Sequence, residues 1–178
     1  YGTDILFPVS GLRGNLLRFP VFGVVVGVSS IAEIQITGAP YQRLAISSRQ
    51  PAPLAGVVDA PGNTTSSVDD IVVGAKVRLV AESSSRPGVA FRFATKLPNA
   101  KHSSGLGSNT IDFYTGLLLG KTIQSMRFVG NIGLGILPDP VTGQRQNDVL
   151  TFGASVARAI DERLDVVGEL NGRANMRS

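Results

Sequence analysis

The stretch GAKVRLVAESSSRPGVAFRFATKLP, residues 74–98, decides the fold. Apolar residues (Val77, Leu79) alternate with basic ones (Lys76, Arg78), and the same alternation follows the ESSSRP segment. Because neighbouring residues of a strand point to opposite faces, this pattern predicts a hairpin with one apolar and one charged face. A helix would distribute the same residues around its axis.

The same period-two alternation recurs along most of the 178 residues, whereas helical periodicity is nearly absent. The pattern predicts about eight strands, each of roughly ten residues or more, which is long for a soluble strand but suits a tilted strand crossing a bilayer. The predicted strands are Leu17–Val28, Ile31–Tyr41, Asp70–Ala81, Gly88–Leu97, Thr110–Thr122, Met126–Leu137, Val149–Ile160 and Leu164–Asn175.

The predicted connections alternate in length. Short turns are expected at Ser29–Ser30, at Glu82–Pro87, at Ile123–Ser125 and at Asp161–Arg163. Longer links, rich in Pro, Gly, Ser and Asn, are expected at Gln42–Asp69, Pro98–Asn109 and Pro138–Asp148. Short turns on one side and long loops on the other are typical of outer-membrane β-barrels.

The composition narrows the class of protein. Charged residues make up 17% of the chain, against roughly 25% in an average soluble protein. There is no cysteine, which excludes disulfides and thiolate metal sites. The net charge of +4 comes from scattered basic residues, so no nucleic-acid partner is expected.

The polar face of the predicted strands carries charges of both signs together with glycines. We expect these residues to line the interior of a transmembrane barrel and to set its selectivity, while the apolar face meets lipid. The predicted lining residues are Glu33, Lys76, Arg78, Arg92, Lys96, Asp112, Arg127, Glu169 and Arg173.

Two interpretations of the basic residues on that face stay open. Lys76, Arg78, Arg92, Lys96 and Arg127 could form a ladder that attracts anions. Alternatively, they pair with acidic residues of the same face and fill the interior.

The chain is predicted to be all-β, a single domain over residues 1–178, folded as an antiparallel up-and-down transmembrane β-barrel. With long loops outside, both ends of the eight-stranded set would lie on the outer side, whereas both termini of such barrels normally face the periplasm. We therefore expect a fragment that lacks strands at both ends of a barrel of about twelve strands, with residues 1–15 as an outer loop.

A resemblance adds to this prediction. KLP at Lys96–Pro98, GLG at Gly105–Gly107 and TIDF at Thr110–Phe113 are similar to motifs of the outer-membrane β-barrel family of MetA-pathway phenol-degradation transporters. NDVL at Asn147–Leu150 and VGEL at Val167–Leu170 extend the resemblance over residues 69–175. The resemblance implies a bacterial outer-membrane barrel that passes small hydrophobic or aromatic compounds.

No enzymatic chemistry is expected. His102 is the only histidine and lies in a Ser/Gly-rich segment, where an exposed loop residue is the simplest interpretation. Asp69 and Asp70 lack the spaced oxygen ligands of a calcium loop, so a solvated loop end is expected there. We predict no catalytic residue, no metal and no cofactor.

The sequence thus predicts a passive channel or transporter whose partners are membrane lipid and a small-molecule solute. The alternative is a soluble lipocalin-like barrel with an apolar interior that binds a hydrophobic ligand.

Overall fold

The computed structural model describes residues 3–139, 141, 146–161 and 164–176. In this part of the chain every regular element longer than a single 3-10 turn is a β-strand, and all strand pairs are antiparallel. The strands form two sheets, one of eight strands and one of four. Within the same ranges, no helix has the length and apolar character needed to cross a membrane.

The larger sheet holds the long alternating segments. Its strands are β3 (Phe22–Gly27), β4 (Ala32–Gly38), β7 (Ile71–Val80), β8 (Gly88–Leu97), β9 (Asp112–Ile123), β10 (Met126–Pro138), β11 (Gln146–Ala159) and β12 (Asp165–Asn175). They pair in the order β12-β11-β10-β9-β8-β7-β4-β3, an up-and-down arrangement. Among the described residues, no strand pairs with the outer edge of β3 or β12, so this sheet is open.

The smaller sheet was not predicted. Its strands are β1 (Thr3–Phe7), β2 (Leu12–Arg18), β5 (Gln42–Arg49) and β6 (Thr64–Ser67), in the order β1-β2-β5-β6. The predictions that residues 1–15 form a loop and that Gln42–Asp69 is a link without strands were therefore wrong. Polar residues and turn formers dilute the alternation in these short strands.

The chain passes from one sheet to the other three times, from β2 to β3, from β4 to β5 and from β6 to β7, each time across a short break. The predicted single strand Leu17–Val28 is in fact the end of β2 and the whole of β3, separated at Phe19–Val21. Pro20, which has no amide hydrogen to donate, lies in this break. The β4–β5 break falls at Ala39–Tyr41 and includes Pro40, and the two breaks meet where the Phe19 amide donates to the Tyr41 carbonyl at 2.9 Å.

The most deeply buried cluster lies in the smaller sheet. Leu12, Leu16 and Leu44 pack with Leu106, which comes from the segment between β8 and β9. We refer to the smaller sheet together with residues 98–111 as the cap. Gly105 permits the close approach, since its φ is +73° and a Cβ there would lie 2.8 Å from the Leu12 Cδ1.

The larger sheet, in contrast, leaves the apolar side chains of one face exposed. Its apolar face carries exposed side chains on every strand, including Phe93 at 50%, Phe113 at 51% and Ile132 at 55% of their full exposure. Nothing in the described chain packs over this face to form a core.

Candidate functional site: the polar face of the larger sheet

Strand register brings the predicted lining residues onto one face. Glu33 pairs with Lys76, and Lys76 pairs with Arg92 on the next strand. The row then continues through Gly116, Gly133, Thr151 and Arg173. Arg78, Lys96, Asp112, Arg127 and Glu169 share this face by the same alternation. The structure therefore places all nine predicted residues on one side of one sheet.

At the middle of the face, four side chains form a connected network. The Lys76 Nζ lies 2.7 Å from the Glu33 Oε1. Gln35 donates to the same carboxylate at 2.7 Å through its Nε2, and its Oε1 accepts a hydrogen bond of 2.8 Å from the Arg92 Nε. Lys76 is thus neutralised by a carboxylate, whereas Arg92 meets a neutral amide.

A second cluster lies where the face meets the cap. The Lys96 Nζ is 2.8 Å from the Asp112 Oδ2 and 3.6 Å from the Asp70 Oδ2, and it donates to the Ser108 Oγ at 2.6 Å. Asp112 retains only 6% of its exposure and also accepts a hydrogen bond from Tyr114. A carboxylate buried this deeply needs its cation, because an uncompensated buried charge is costly.

Asp70 corrects an expectation from the sequence. The Asp69–Asp70 pair was expected to be a solvated loop end, yet the Asp70 side chain is 12% exposed and accepts a hydrogen bond of 2.9 Å from the Ala100 amide. Asp69 pairs with Arg18 at 3.7 Å. These two carboxylates connect the cap to the segment that leads into the larger sheet. Among the described residues, no group of three or more acidic, His or Cys side chains is arranged to hold a metal ion.

The third cluster lies at the short-turn end. The Arg127 Nη1 is 3.2 Å from the Glu82 Oε2 and 3.0 Å from the Thr122 Oγ1. The Thr122 amide donates to the Glu82 Oε1 at 2.6 Å. This amide hydrogen bond, followed by the contact with Arg127, holds the pKa of the Glu82 carboxyl below its usual value.

The remaining predicted residues are more exposed. Arg78 donates to the Ser30 carbonyl at 2.7 Å in the β3–β4 turn. Glu169 accepts a hydrogen bond of 2.7 Å from the Asn171 Nδ2. Arg173 is exposed on β12. Like Arg92, Arg78 forms no salt bridge with a carboxylate in the part of the chain that the structure describes.

Glycines shape this face because polar side chains of neighbouring strands lie over them. A Cβ on Gly153 would fall 2.4 Å from the Asn171 Oδ1 and 2.7 Å from the Asn131 Nδ2. A Cβ on Gly133 would meet the Thr115 carbonyl at 2.5 Å. Larger residues would displace these neighbours, so the glycines let polar side chains lie flat along the sheet.

Two grooves run over the polar face. One, of about 460 Å³, is bordered by the side chains of Gln35, Arg92, Tyr114, Asn131 and Thr151. The other, of about 560 Å³, lies toward the short turns beside Lys76, Arg78 and Arg127. Hydrogen-bonding groups and cations thus border the spaces that a small solute can enter.

Four residues of these clusters and grooves were not among the nine predicted lining residues, although alternation had placed Gln35 and Asn131 on the polar face. Gln35, Tyr114 and Asn131 bear no charge, and Glu82 lies in a turn rather than on a strand. The hydrogen bond between Gln35 on β4 and Arg92 on β8 reaches across the intervening strand β7, so it follows from the strand order and not from alternation. Period-two alternation would have found Tyr114, since it lies two residues after Asp112.

His102 also differs from expectation. It begins the 3-10 turn His102–Ser104 in the cap and is partly buried rather than exposed. Its Nδ1 is buried without a hydrogen-bond partner. No second histidine exists in the sequence to share a site with it.

Comparison with known proteins found no match, whether to a family model, to a curated protein or to a solved structure. The resemblance to the phenol-degradation transporter family stays a prediction.

Proposed function

We propose that this chain forms wall and cap of a bacterial outer-membrane β-barrel channel that passes small solutes without covalent chemistry. One observation carries the proposal: the apolar side chains of the eight-stranded sheet are exposed, while the polar face holds the sheltered groups and the grooves. Lipid covers an apolar outer face, and the polar face of such a barrel lines its interior.

The exposed face is too extensive for an ordinary water-soluble surface. Contiguous apolar patches on soluble monomers rarely exceed about 300–600 Å². Here exposed apolar side chains follow one another across neighbouring strands, as Phe91, Leu117 and Ile132 do on β8, β9 and β10.

The soluble lipocalin-like alternative requires the opposite arrangement. In such a barrel the apolar face is the sheltered one and the charged face meets water. Lys96 and Asp112, at 17% and 8% side-chain exposure, are instead more sheltered than Phe93 on the other face of β8.

The proposal includes closure by further strands. The outer edges of β3 and β12 have no partner strand among the described residues, and a bilayer does not tolerate unpaired strand edges. A barrel of about twelve strands would pair both edges.

Lining charges would bias the solute. Carboxylates compensate Lys76, Lys96 and Arg127, which supports the interpretation that much of the basic ladder is paired. Among the described basic residues of β7 and β8, Arg78 and Arg92 have no carboxylate partner. We therefore expect these two arginines to favour anions near the two grooves. The resemblance to phenol-degradation transporters adds small hydrophobic or aromatic compounds to the solutes that we expect to pass.

The test uses the complete gene, expressed with its own export signal. We expect the protein in the outer-membrane fraction, with a gel band that shifts on boiling, and conductance in planar bilayers. Arg92→Gln should move the reversal potential toward cation selectivity, whereas Arg13→Gln in the cap should not. A protein that washes off in buffer and shows no heat shift would contradict the membrane assignment.

A further inference from the structure

The cap contains a polar cavity that the proposed channel does not use. Its volume is about 410 Å³, within the range of small-molecule sites. It is open to solvent on one side, and three segments border it: β5 and β6 of the smaller sheet, residues 59–61 and residues 101–104. The lining residues are Tyr41, Arg43, Asp59, Ala60, Pro61, Thr64, Thr65, Ser66, Lys101, Ser103 and Ser104.

The cavity lies along β6, the edge strand of the smaller sheet, where groups from both faces of the sheet reach it. Thr65 pairs with the core residue Leu44 and lies on the core side, together with the segment that holds Ser104. Along β5, Gln42 and Leu44 are buried, so Arg43 between them points the other way. Arg43 pairs in register with Ser66, and Ala45 pairs with Thr64. The small Ala45 leaves room beside Arg43, and two hydroxyl groups stand on the neighbouring strand.

Hydrogen bonds fix the three walls to one another. The Asp59 amide donates to the Ser103 carbonyl at 2.8 Å, and the Thr65 Oγ1 donates to the Ser104 carbonyl at 2.9 Å. The Lys101 amide donates to the Ser67 Oγ at 2.8 Å. The cavity is therefore formed before any ligand arrives, which lowers the entropic cost of binding.

The charged groups of the cavity, Arg43, Asp59 and Lys101, are exposed to solvent and are therefore accessible to a ligand. Arg43 and Lys101 form no salt bridge with any described carboxylate. The side-chain hydroxyl groups of Tyr41, Thr64, Ser66 and Ser103 likewise form no hydrogen bond within the described chain. Two cations and four hydroxyl groups suit an oxoanion, because a guanidinium and an ammonium bind phosphate oxygens by charge-assisted hydrogen bonds.

Asp59 refines the class of ligand. A carboxylate accepts hydrogen bonds and repels a bare anion, so it suits the hydroxyl group of a sugar better than a second phosphate oxygen. We propose that this cavity binds a sugar phosphate, with Arg43 and Lys101 on the phosphate and Asp59 on a sugar hydroxyl. The proposal does not rest on the channel function, since every lining residue belongs to the cap or to its connections.

The test is calorimetric titration of the full-length protein with glucose 1-phosphate, glucose and inorganic phosphate. We expect glucose 1-phosphate to bind most tightly. Arg43→Gln and Lys101→Gln should each weaken it by about tenfold or more, the loss expected for one charge-assisted contact. Arg13→Gln is the matched control, because Arg13 is an exposed cap arginine that pairs with Asp4 at 2.8 Å outside the cavity.

Asp59→Asn should reduce the preference for glucose 1-phosphate over inorganic phosphate. Equal binding of glucose and glucose 1-phosphate, or unchanged affinity in both Arg43→Gln and Lys101→Gln, would overturn the proposal. Two sources of the ligand are then separated with vesicles that carry a phosphorylated glucosamine glycolipid, compared with phosphatidylcholine vesicles. Retention on the former, lost with Arg43→Gln, assigns a lipid headgroup, and binding of the soluble compound alone assigns a free sugar phosphate.

Discussion

The two sheets of this protein are built from similar strands but bury opposite amounts of their apolar side chains. Leu44, in the smaller sheet, is fully buried, whereas Leu117, in the larger sheet, keeps 45% of its exposure. Both lie on strands whose successive side chains point to opposite faces of a sheet. Alternation therefore defines two faces but not which medium each face meets, which depends on whether another segment packs over it. In the smaller sheet that segment carries Leu106.

The largest expected effect comes from a substitution in the buried leucine cluster of the cap. Leu44→Ala leaves a cavity among Leu12, Leu16 and Leu106, and it should destabilise the cap by about 2–5 kcal/mol. Native-state hydrogen exchange of the β2 and β5 amides measures this loss. Leu117→Ala, on the exposed face, is the matched control, and an equal loss of protection in both variants would contradict the difference between the sheets.

A charge on the exposed face should have a comparable or smaller effect, and only in a membrane. Leu117→Lys is expected to disfavour folding into lipid vesicles by about 2–4 kcal/mol, the cost of a lysine facing the middle of a bilayer. Asn131→Lys is the control, because Asn131 lies on the polar face of the adjacent strand β10. The measurement is the heat-shifted fraction on gels against urea concentration. If Asn131→Lys were the more harmful change, the two faces would have been assigned the wrong way round.

The smallest effect concerns acid stability at the short-turn end. Because the folded-state pKa of Glu82 is lowered, its contribution is present above the unfolded pKa of about 4.3 and is lost as pH falls through the folded value. Glu82→Gln should therefore lower stability at neutral pH and flatten its decline as the pH falls below the unfolded pKa. Unfolding midpoints at each pH give the comparison, with Ser84→Ala in the same turn as the control. Parallel curves for wild type and Glu82→Gln would refute it.

Much of the larger sheet was predictable because most of its strands are long and alternate between apolar and polar residues over much of their length. Gly88–Leu97 was predicted with the boundaries that the structure gives, and the nine residues predicted to line a barrel lie on one face of the sheet. Parity alone was enough for this, since a strand has only two faces.

The cap was not predictable by the same rule. Strand β6, TTSS, has no apolar residue, and β1 has only five residues. Strand β1 pairs with the adjacent β2, and β6 pairs with β5 across residues 50–63, so both are specified by their partner strands rather than by their own composition. Within the predicted strand Leu17–Val28, Pro20 is the residue that indicated the break between β2 and β3.

The partners of the lining charges depend on register, which the sequence did not specify. Lys96 meets Asp112 because β8 and β9 pair at these two residues, and it also reaches Asp70, which directly precedes β7. The sequence indicated that charges share a face. It did not distinguish Lys96, which has two carboxylates, from Arg92, which has none.

The passage of the chain through β5 and β6, between β4 and β7, affects the order in which the sheets fold. Along the larger sheet, every pair of neighbours is joined by a direct connection except β4 and β7, between which the chain makes its excursion through β5 and β6. Closing so long a loop costs more chain entropy than forming a hairpin. Pairing of β5 with β6 brings the ends of β4 and β7 together and shortens the loop left to close. In pulsed hydrogen exchange during refolding, we expect the amides of β5 and β6 to be protected no later than those of the β4–β7 pair. The cap would then fold before the β3–β4 hairpin joins the rest of the larger sheet. Protection of the β4–β7 pair ahead of β5 and β6 would rule this order out.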